Sequence, residues 1–334
     1  MLSGSRGVKV LIVGAAGMIG RKLSARLSHD ARLAGQPIAA AHLVDIVAPQ
    51  QLDNAPFPVV LGACDIAAPY VTPKLIAGRP DIIFLLASVV SGEAETDFDK
   101  GYAINLSGTQ ALFDAVRREH TLAGSAYRPR VVFTSSIAVF GAPFPEVIGD
   151  EFLAAPLTSY GTQKAIAELL LADYSRRGFF DGVALRLPTI CVRPGAANQA
   201  ASGFFSSIIR EPLVGKEAIL PVGDGVRHWH ASPRSAVGFL LRAAELDTSL
   251  LGHRRAVNLP GVSVTVGEQI EALRQIAGDK AIGLIRRRPD ETIARIVAGW
   301  PRNFDPARAL NLGFRADANF SAIIRAHIED ELTA

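Results

Sequence analysis

The chain has 334 residues, 49% of them hydrophobic, enough for a full core and more than one common domain length. Lys+Arg number 35 against Asp+Glu 32, a formal net charge of +3 without a long basic run, which excludes an electrostatic case for nucleic acid. Cys64 and Cys191 lie far apart in sequence, which argues against a disulfide framework, and no apolar stretch is long enough to span a bilayer.

Through the first half, apolar runs of strand length alternate with segments of helical period. Val8–Val13 predicts a strand and Gly17–Ser28 a helix. A second strand ends at His42–Val44, and Val59–Leu61 is a third, weaker one. Asp81–Ala87 predicts a buried strand, followed by a helix around Ile104–Arg118. Arg130–Ser135 is another strand, Thr158–Arg176 a long helix and Gly182–Leu187 a sixth strand. This order argues for an α/β fold with a Rossmann-type doubly wound parallel sheet.

Past Pro188 the pattern breaks up. Helical pieces at Gly203–Arg210, Pro233–Leu246, Val266–Ala277, Asp290–Ala298 and Phe320–Leu332 mix with short strands near Ile219–Val222 and Ala256–Leu259. Residues 1–187 are expected to form the dinucleotide-binding domain. Residues 188–334 are expected to form mainly a smaller C-terminal substrate lobe, with the chain crossing back near 226–260. Arg286-Arg287-Arg288, the densest basic cluster, reads as a solvated surface turn. The short polar start, Met1 to Gly7, shows no charged-then-apolar signal pattern, so the cytoplasm is the expected compartment.

The turn Gly14-x-x-Gly17-x-x-Gly20, with Met18 and Ile19 inside it, follows a strand and opens a helix. Glycine permits the tight turn and a close backbone approach to a pyrophosphate, and the helix N-terminus offers free N–H groups to it. Asp45 ends the second strand, where a carboxylate accepts ribose hydroxyls and repels a 2′-phosphate. No Arg or Lys follows closely, so NAD is expected rather than NADP. Asp65 and Ile66, after the third strand, are candidates for the adenine amine and face. Ala87 ends the fourth strand, where a small residue lets the backbone pass under a cofactor. Asn105 reads either as a bridge near the site or as an ordinary helix-surface residue.

Tyr160 and Lys164 stand four apart at the start of the long helix and so share one face. An ammonium beside a phenol favours the phenolate and lowers its pKa from about 10, giving an acid/base for neutral pH. Ser136, ending the fifth strand, can fix a substrate oxygen beside that phenol. In a parallel sheet both places converge with the glycine turn at the carboxyl edge. Together they fit hydride transfer at a carbinol or carbonyl carbon. Ser88 joins them as a candidate substrate contact. Thr189 lies in the loop that should pass the nicotinamide, and Arg193 in that loop and Arg227 later are candidate anion partners. His228 and His230 share a face if extended, but two ligands without a third do not make a metal site.

In its motifs the chain resembles an extended short-chain dehydrogenase/reductase over roughly Val8 to Leu246. The resemblance rests on the three glycines, the Ser136 block ending in Val139-Phe140-Gly141, Tyr160-x-x-x-Lys164 and Gly223-Asp224-Gly225 with Arg227. It implies the roles above and raises Asp65, Ile66, Ala87 and Asn105 to cofactor-site positions. It further implies that Lys164 binds the nicotinamide ribose and that the chain forms a homodimer through two long helices. Ile137-Ala138 stand where dehydratase members carry an Asp-Glu pair, so elimination of water is not expected. His230-Ala231-Ser232-Pro233-Arg234 replaces the aromatic strand and Val-Asp-Asp of many nucleotide-sugar members. The text around Leu185–Gly195 and Trp229–Arg234 is similar to members that oxidise the 2-hydroxyl of a small, D-erythronate-like sugar acid with NAD. Two other readings stand beside this one: a nucleotide-sugar epimerase that keeps its NAD, and a non-catalytic NAD-binding sensor.

Overall fold

The computed structural model describes residues 7–195 and 201–333; the polar stretch before Gly7 lies outside them. The first half runs β1 (Val8–Val13), α1 (Met18–Asp30), β2 (Arg32–Leu33), β3 (Gln36–Asp45), β4 (Val59–Ala63), α2 (Val71–Ile76) and β5 (Ile82–Leu85). Short helices α3 (Ser91–Thr96) and α4 (Phe98–Gly101) lead into a π-helical turn, Tyr102–Gly108, and then α5 (Thr109–Leu122). Next come β6 (Arg130–Ser136), a 3₁₀ turn at Ile137–Val139, α6 (Ser159–Arg176) and β7 (Asp181–Leu187).

Seven of the eight strands in the main sheet are parallel, in the order β4-β3-β1-β5-β6-β7 and then β11 (Ala256–Asn258); β2 pairs antiparallel with the start of β3. The chain belongs to the doubly wound class expected from its β/α alternation. β3 and β5 flank β1, so the strand order reverses there, and the crevice at the carboxyl ends of β1 and β5 is where such a sheet takes a ligand. Continuous apolar strands such as Ile82–Leu85 are buried on both faces, as helices on both sides require. One face packs Leu23 of α1 and Phe239 of the later helix α8 (Pro233–Glu245). The other packs Leu112 and Phe113 of α5 and Leu171 of α6.

The remaining chain supplies β8 (Thr189–Ile190), α7 (Gly203–Leu213), β9 (Ala218–Leu220), β10 (Arg227–Ala231), β12 (Val262–Thr265), α9 (Val266–Ile282), β13 (Ile285–Arg287), α10 (Glu291–Ala298), α11 (Ala307–Asn311) and α12 (Phe320–His327). β10 pairs with β8 and β12, β9 with β13, and α7, α9 and α12 close over Phe205, Ile208, Leu273 and Ile323. A smaller cluster joins Val139 and Phe140, behind the 3₁₀ turn, to Trp229 of β10 and Phe304. Each such buried side chain contributes about 2 kcal/mol of transfer free energy, which fixes β10 against the turn that carries Ser136.

Several local readings differ from the structure. Arg286 and Arg287 sit in a short strand, β13, and pair with Glu217 and Asp224, so the basic cluster is a strand edge held by ion pairs and not a turn. β2, α2, β12 and α11 carried no period strong enough to show in sequence, being only two to six residues long.

Helix α6 reaches the sheet edge because Gly161 has no side chain: a Cβ there would meet Ala138 O at 2.2 Å. Gly161→Ala is expected to cost about 1–3 kcal/mol, read as a lower denaturant midpoint at unchanged slope. An unchanged midpoint would show that α6 does not need this approach.

Candidate active site

Three glycines act differently at the first turn. Gly14 adopts a positive φ of 97°, and a Cβ on it would lie 2.5 Å from Ala87 N. A Cβ on Gly20 would lie 2.2 Å from Gly14 O, so these two glycines serve the packing of β1, α1 and the end of β5. Gly17 is the N-cap of α1 and makes no side-chain cap bond. The protein around it tolerates a Cβ, whose nearest atom would be Gly14 O at 3.4 Å. The N–H groups at the start of α1, where Met18 and Ile19 stand, suit a phosphate.

Asp45, at the end of β3, accepts from Ala16 N at 2.9 Å and Ile46 N at 2.7 Å. A carboxylate offers about four acceptor sites, so capacity remains for ribose hydroxyls. Asp65 lies at the same edge. Burial, reinforced by Asp45 and Asp65, raises the pKa of the intervening Cys64 thiol. Ile66 departs from expectation. Its side chain is buried in the core under α5, against Gly108, and not on the open edge of the sheet. These residues together fit a dinucleotide.

Asn105 is no helix-surface residue; it is 1% exposed, in the π-helical turn. Its Oδ1 accepts from Val89 N at 2.9 Å and Ser88 Oγ at 2.8 Å, and its Nδ2 donates to Gln163 Oε1 at 2.7 Å. Asn105 thus ties the loop after β5 to α6, and the local π geometry aims it. Gln163 escaped the sequence reading; its place between Tyr160 and Lys164 was the available signal.

Thr158 caps α6, accepting from Gly161 N at 3.0 Å, and so sets Tyr160 in the first turn. Ser136 Oγ accepts from Ala138 N at 3.1 Å, which leaves its proton for another oxygen. The hydroxyls of Ser136 and Ser88 both face the Tyr160 phenol. The buried Lys164 donates to Thr134 O at 2.8 Å, with Nζ 4.7 Å from the centre of the Phe133 ring and 5.6 Å from that of Tyr160.

Burial is the largest influence on both groups of the pair. Burial raises the Tyr160 pKa, opposed by Ser136, Ser88 and then the charge of Arg193. Burial brings the Lys164 pKa down to about 7, and Glu168 opposes that fall.

Arg193 is brought to the site. Its Nε donates to Ile190 O at 3.0 Å and its Nη2 to Ser202 Oγ at 3.1 Å, and its charge stabilises a Tyr160 phenolate. Arg227 is not brought there in the same way. It is exposed and engaged with Glu268 at 3.2 Å and Ser263 O at 2.9 Å. Thr189 Oγ1 lies 2.6 Å from His228 Nε2, and the rings of His228 and His230 are 5.3 Å apart. Burial lowers His228 to about 4 and holds His230 well below the usual histidine range, so both stay neutral beside Arg193. Among the described residues no group of three or more His, Cys, Asp or Glu is placed to hold a metal ion.

Residues 10–232 match the NAD dependent epimerase/dehydratase family. The chain belongs to that family. It is 47% identical over 327 residues to a D-erythronate dehydrogenase of Cupriavidus necator, covering 97% of this chain and 98% of that one. It is 40% identical over 325 residues to a D-erythronate dehydrogenase of Haemophilus influenzae, covering 97% and 100%. A crystal structure described as a nucleoside-diphosphate-sugar epimerase from Agrobacterium tumefaciens shares 58% identity at a TM-score of 0.95, covering 99% and 98%. An L-threonine dehydrogenase from Cupriavidus necator, 20% identical at a TM-score of 0.81 over 96% and 99%, shares the fold. Among the described residues no helix is long and apolar enough to cross a membrane.

Two variants separate chemistry from packing in this family member. Tyr160→Phe is expected to cut turnover by about 10²–10⁴-fold with NADH affinity retained, measured by steady-state rates and fluorescence titration. Lys164→Met removes a buried cation, so it should raise the thermal midpoint while abolishing turnover. A lowered midpoint would contradict the burial cost.

Proposed function

We propose that the chain is an NAD-dependent dehydrogenase that oxidises the 2-hydroxyl of a small, D-erythronate-like sugar acid to the 2-oxo acid. The observation that carries this reading is the placing of a partly buried guanidinium, Arg193, where its charge favours the Tyr160 phenolate. A carboxylate on Arg193 would bring the neighbouring C2 hydroxyl to Tyr160 and Ser136. Tyr160 takes the hydroxyl proton as base, and Ser136 holds the reacting oxygen by hydrogen bonding. Ser88 and Asn105 fix the loop against which the substrate lies. Bound NAD supplies the hydride acceptor. Gly14, Gly17, Gly20, Asp45, Asp65 and Ala87 would hold its adenosine diphosphate half, and Lys164 and Thr189 its nicotinamide half. Residues 1–187 would be the cofactor domain and 188–334 mainly the substrate lobe, with β11 returning to the main sheet.

The relatives described as D-erythronate dehydrogenases support this substrate. The second reading, a nucleotide-sugar epimerase, has the description of the Agrobacterium structure in its favour. It would use the same Tyr160 but return the hydride. The engagement of Arg227 with Glu268 and Ser263 speaks against it, because a nucleotide diphosphate needs a free cation there.

The deciding assay adds NAD and D-erythronate and follows NADH absorbance. Net NADH formation is expected; tightly retained NAD with no net signal, and turnover of a nucleotide sugar, would sink the dehydrogenase. Arg193→Gln should raise KM for the acid by roughly 10–100-fold, the value of a charged hydrogen bond, and leave NADH affinity in place.

We also propose a homodimer through α5 and α6. In support, Leu122 is 78% and Leu169 73% exposed on those helices. Light scattering should give twice the chain mass, falling to one chain in Leu169→Glu; a monomeric parent would end this reading. We place the protein in the cytoplasm, in keeping with two unpaired cysteines. Cell fractionation tests that placement: recovery with the soluble cytoplasmic fraction is expected, and recovery outside it would refute it.

A further inference from the structure

Glu168 lies one helical turn beyond Lys164 on α6, so both side chains project from the same face. It is 7% exposed. Three donors surround its carboxylate: Ser135 Oγ at 2.5 Å, Arg186 Nε at 3.0 Å and Arg186 Nη2 at 2.7 Å. Ser135 and Arg186 stand opposite each other in the β6/β7 register, and Ser135 precedes Ser136. Arg186 is itself fixed, with Nη1 donating to Asn258 Oδ1 at 3.1 Å and its guanidinium 4.8 Å over the Phe140 ring. A buried ion pair this well anchored costs desolvation and is weak evidence of stability for its own sake.

We propose that Glu168 is a positioning residue for Lys164: its carboxylate, oriented by Arg186 and Ser135, is the counter-charge that keeps the buried ammonium protonated and able to donate to the cofactor. This rests on the assignment of Lys164 to the nicotinamide ribose. Burial alone strips Lys164 of much of its proton affinity, and Glu168 is the charge that opposes this. Three other acidic groups on elements packed against α6 are committed elsewhere. Glu95 of α3 accepts from Ser159 N, Glu93 pairs with Lys100, and Asp114 of α5 binds Tyr174 and Arg117. Tyr160 lies four residues before Lys164 on α6, its ring centre 5.6 Å from Lys164 Nζ.

The sign follows from the groups. An ammonium donates to ribose hydroxyls better than an amine, so NADH affinity should fall as pH rises through the Lys164 titration. Without the Glu168 charge Lys164 loses its proton at lower pH, and the unpaired Arg186 pushes in the same direction. The experiment titrates NADH by fluorescence from pH 6 to 9 with parent protein, Glu168→Gln and Glu168→Asp. The parent should show a basic fall in affinity. In Glu168→Gln its midpoint should move down by about one pH unit, so that affinity is roughly tenfold weaker at pH 8.5 but within about threefold of parent at pH 6. Glu168→Asp, which draws the charge back, should move it less in the same direction, and it carries the test if Glu168→Gln does not fold. A midpoint left in place in these variants, or an equal loss at every pH, would overturn the proposal. A parent without any basic fall would instead overturn the ribose assignment. Sugar-acid oxidation enters none of these readings.

Discussion

The site depends on one contact, the first turn of α6 resting on the 3₁₀ turn that ends β6. Gly161 allows it, since any Cβ would run into Ala138 O. Thr158 then starts the helix at that point, and Lys164 Nζ bonds Thr134 O from the next turn. Tyr160 reaches Ser136 only because these backbones approach so closely. A helix set back by the width of a methyl group would draw the phenol away from the serine hydroxyl.

Around that contact the protein spends its buried charge sparingly. Lys164 and Arg193 flank Tyr160, one held by a strand carbonyl and the other by Ile190 O and Ser202. His228 and His230, equally buried, stay neutral chiefly because burial disfavours their charged forms, with the Arg193 charge adding to it. Burial works against Tyr160 ionisation, and hydroxyls with one guanidinium work for it. The acid/base is thus tuned by its whole surroundings and not by its helical neighbour alone.

The sheet, the glycine turn and the Tyr160–Lys164 helix were legible in sequence for a shared reason: each rests on local spacing. Strand and helix periods follow from the backbone, and a turn glycine follows from steric limits a few residues wide. Short elements such as β2 and β12 were not legible, since two to four residues carry no period. Asn105 was ambiguous because a helix has two faces, and only packing shows which is buried.

Sequence alone therefore determined the α/β architecture and the family. Tertiary structure decided the partners. It turned Ile66 into the core, bound Arg227 to Glu268, brought Arg193 to Tyr160 and placed Arg186 under Glu168. Such pairings join residues far apart in the chain, and their strength depends on distance and desolvation, neither of which a linear pattern encodes.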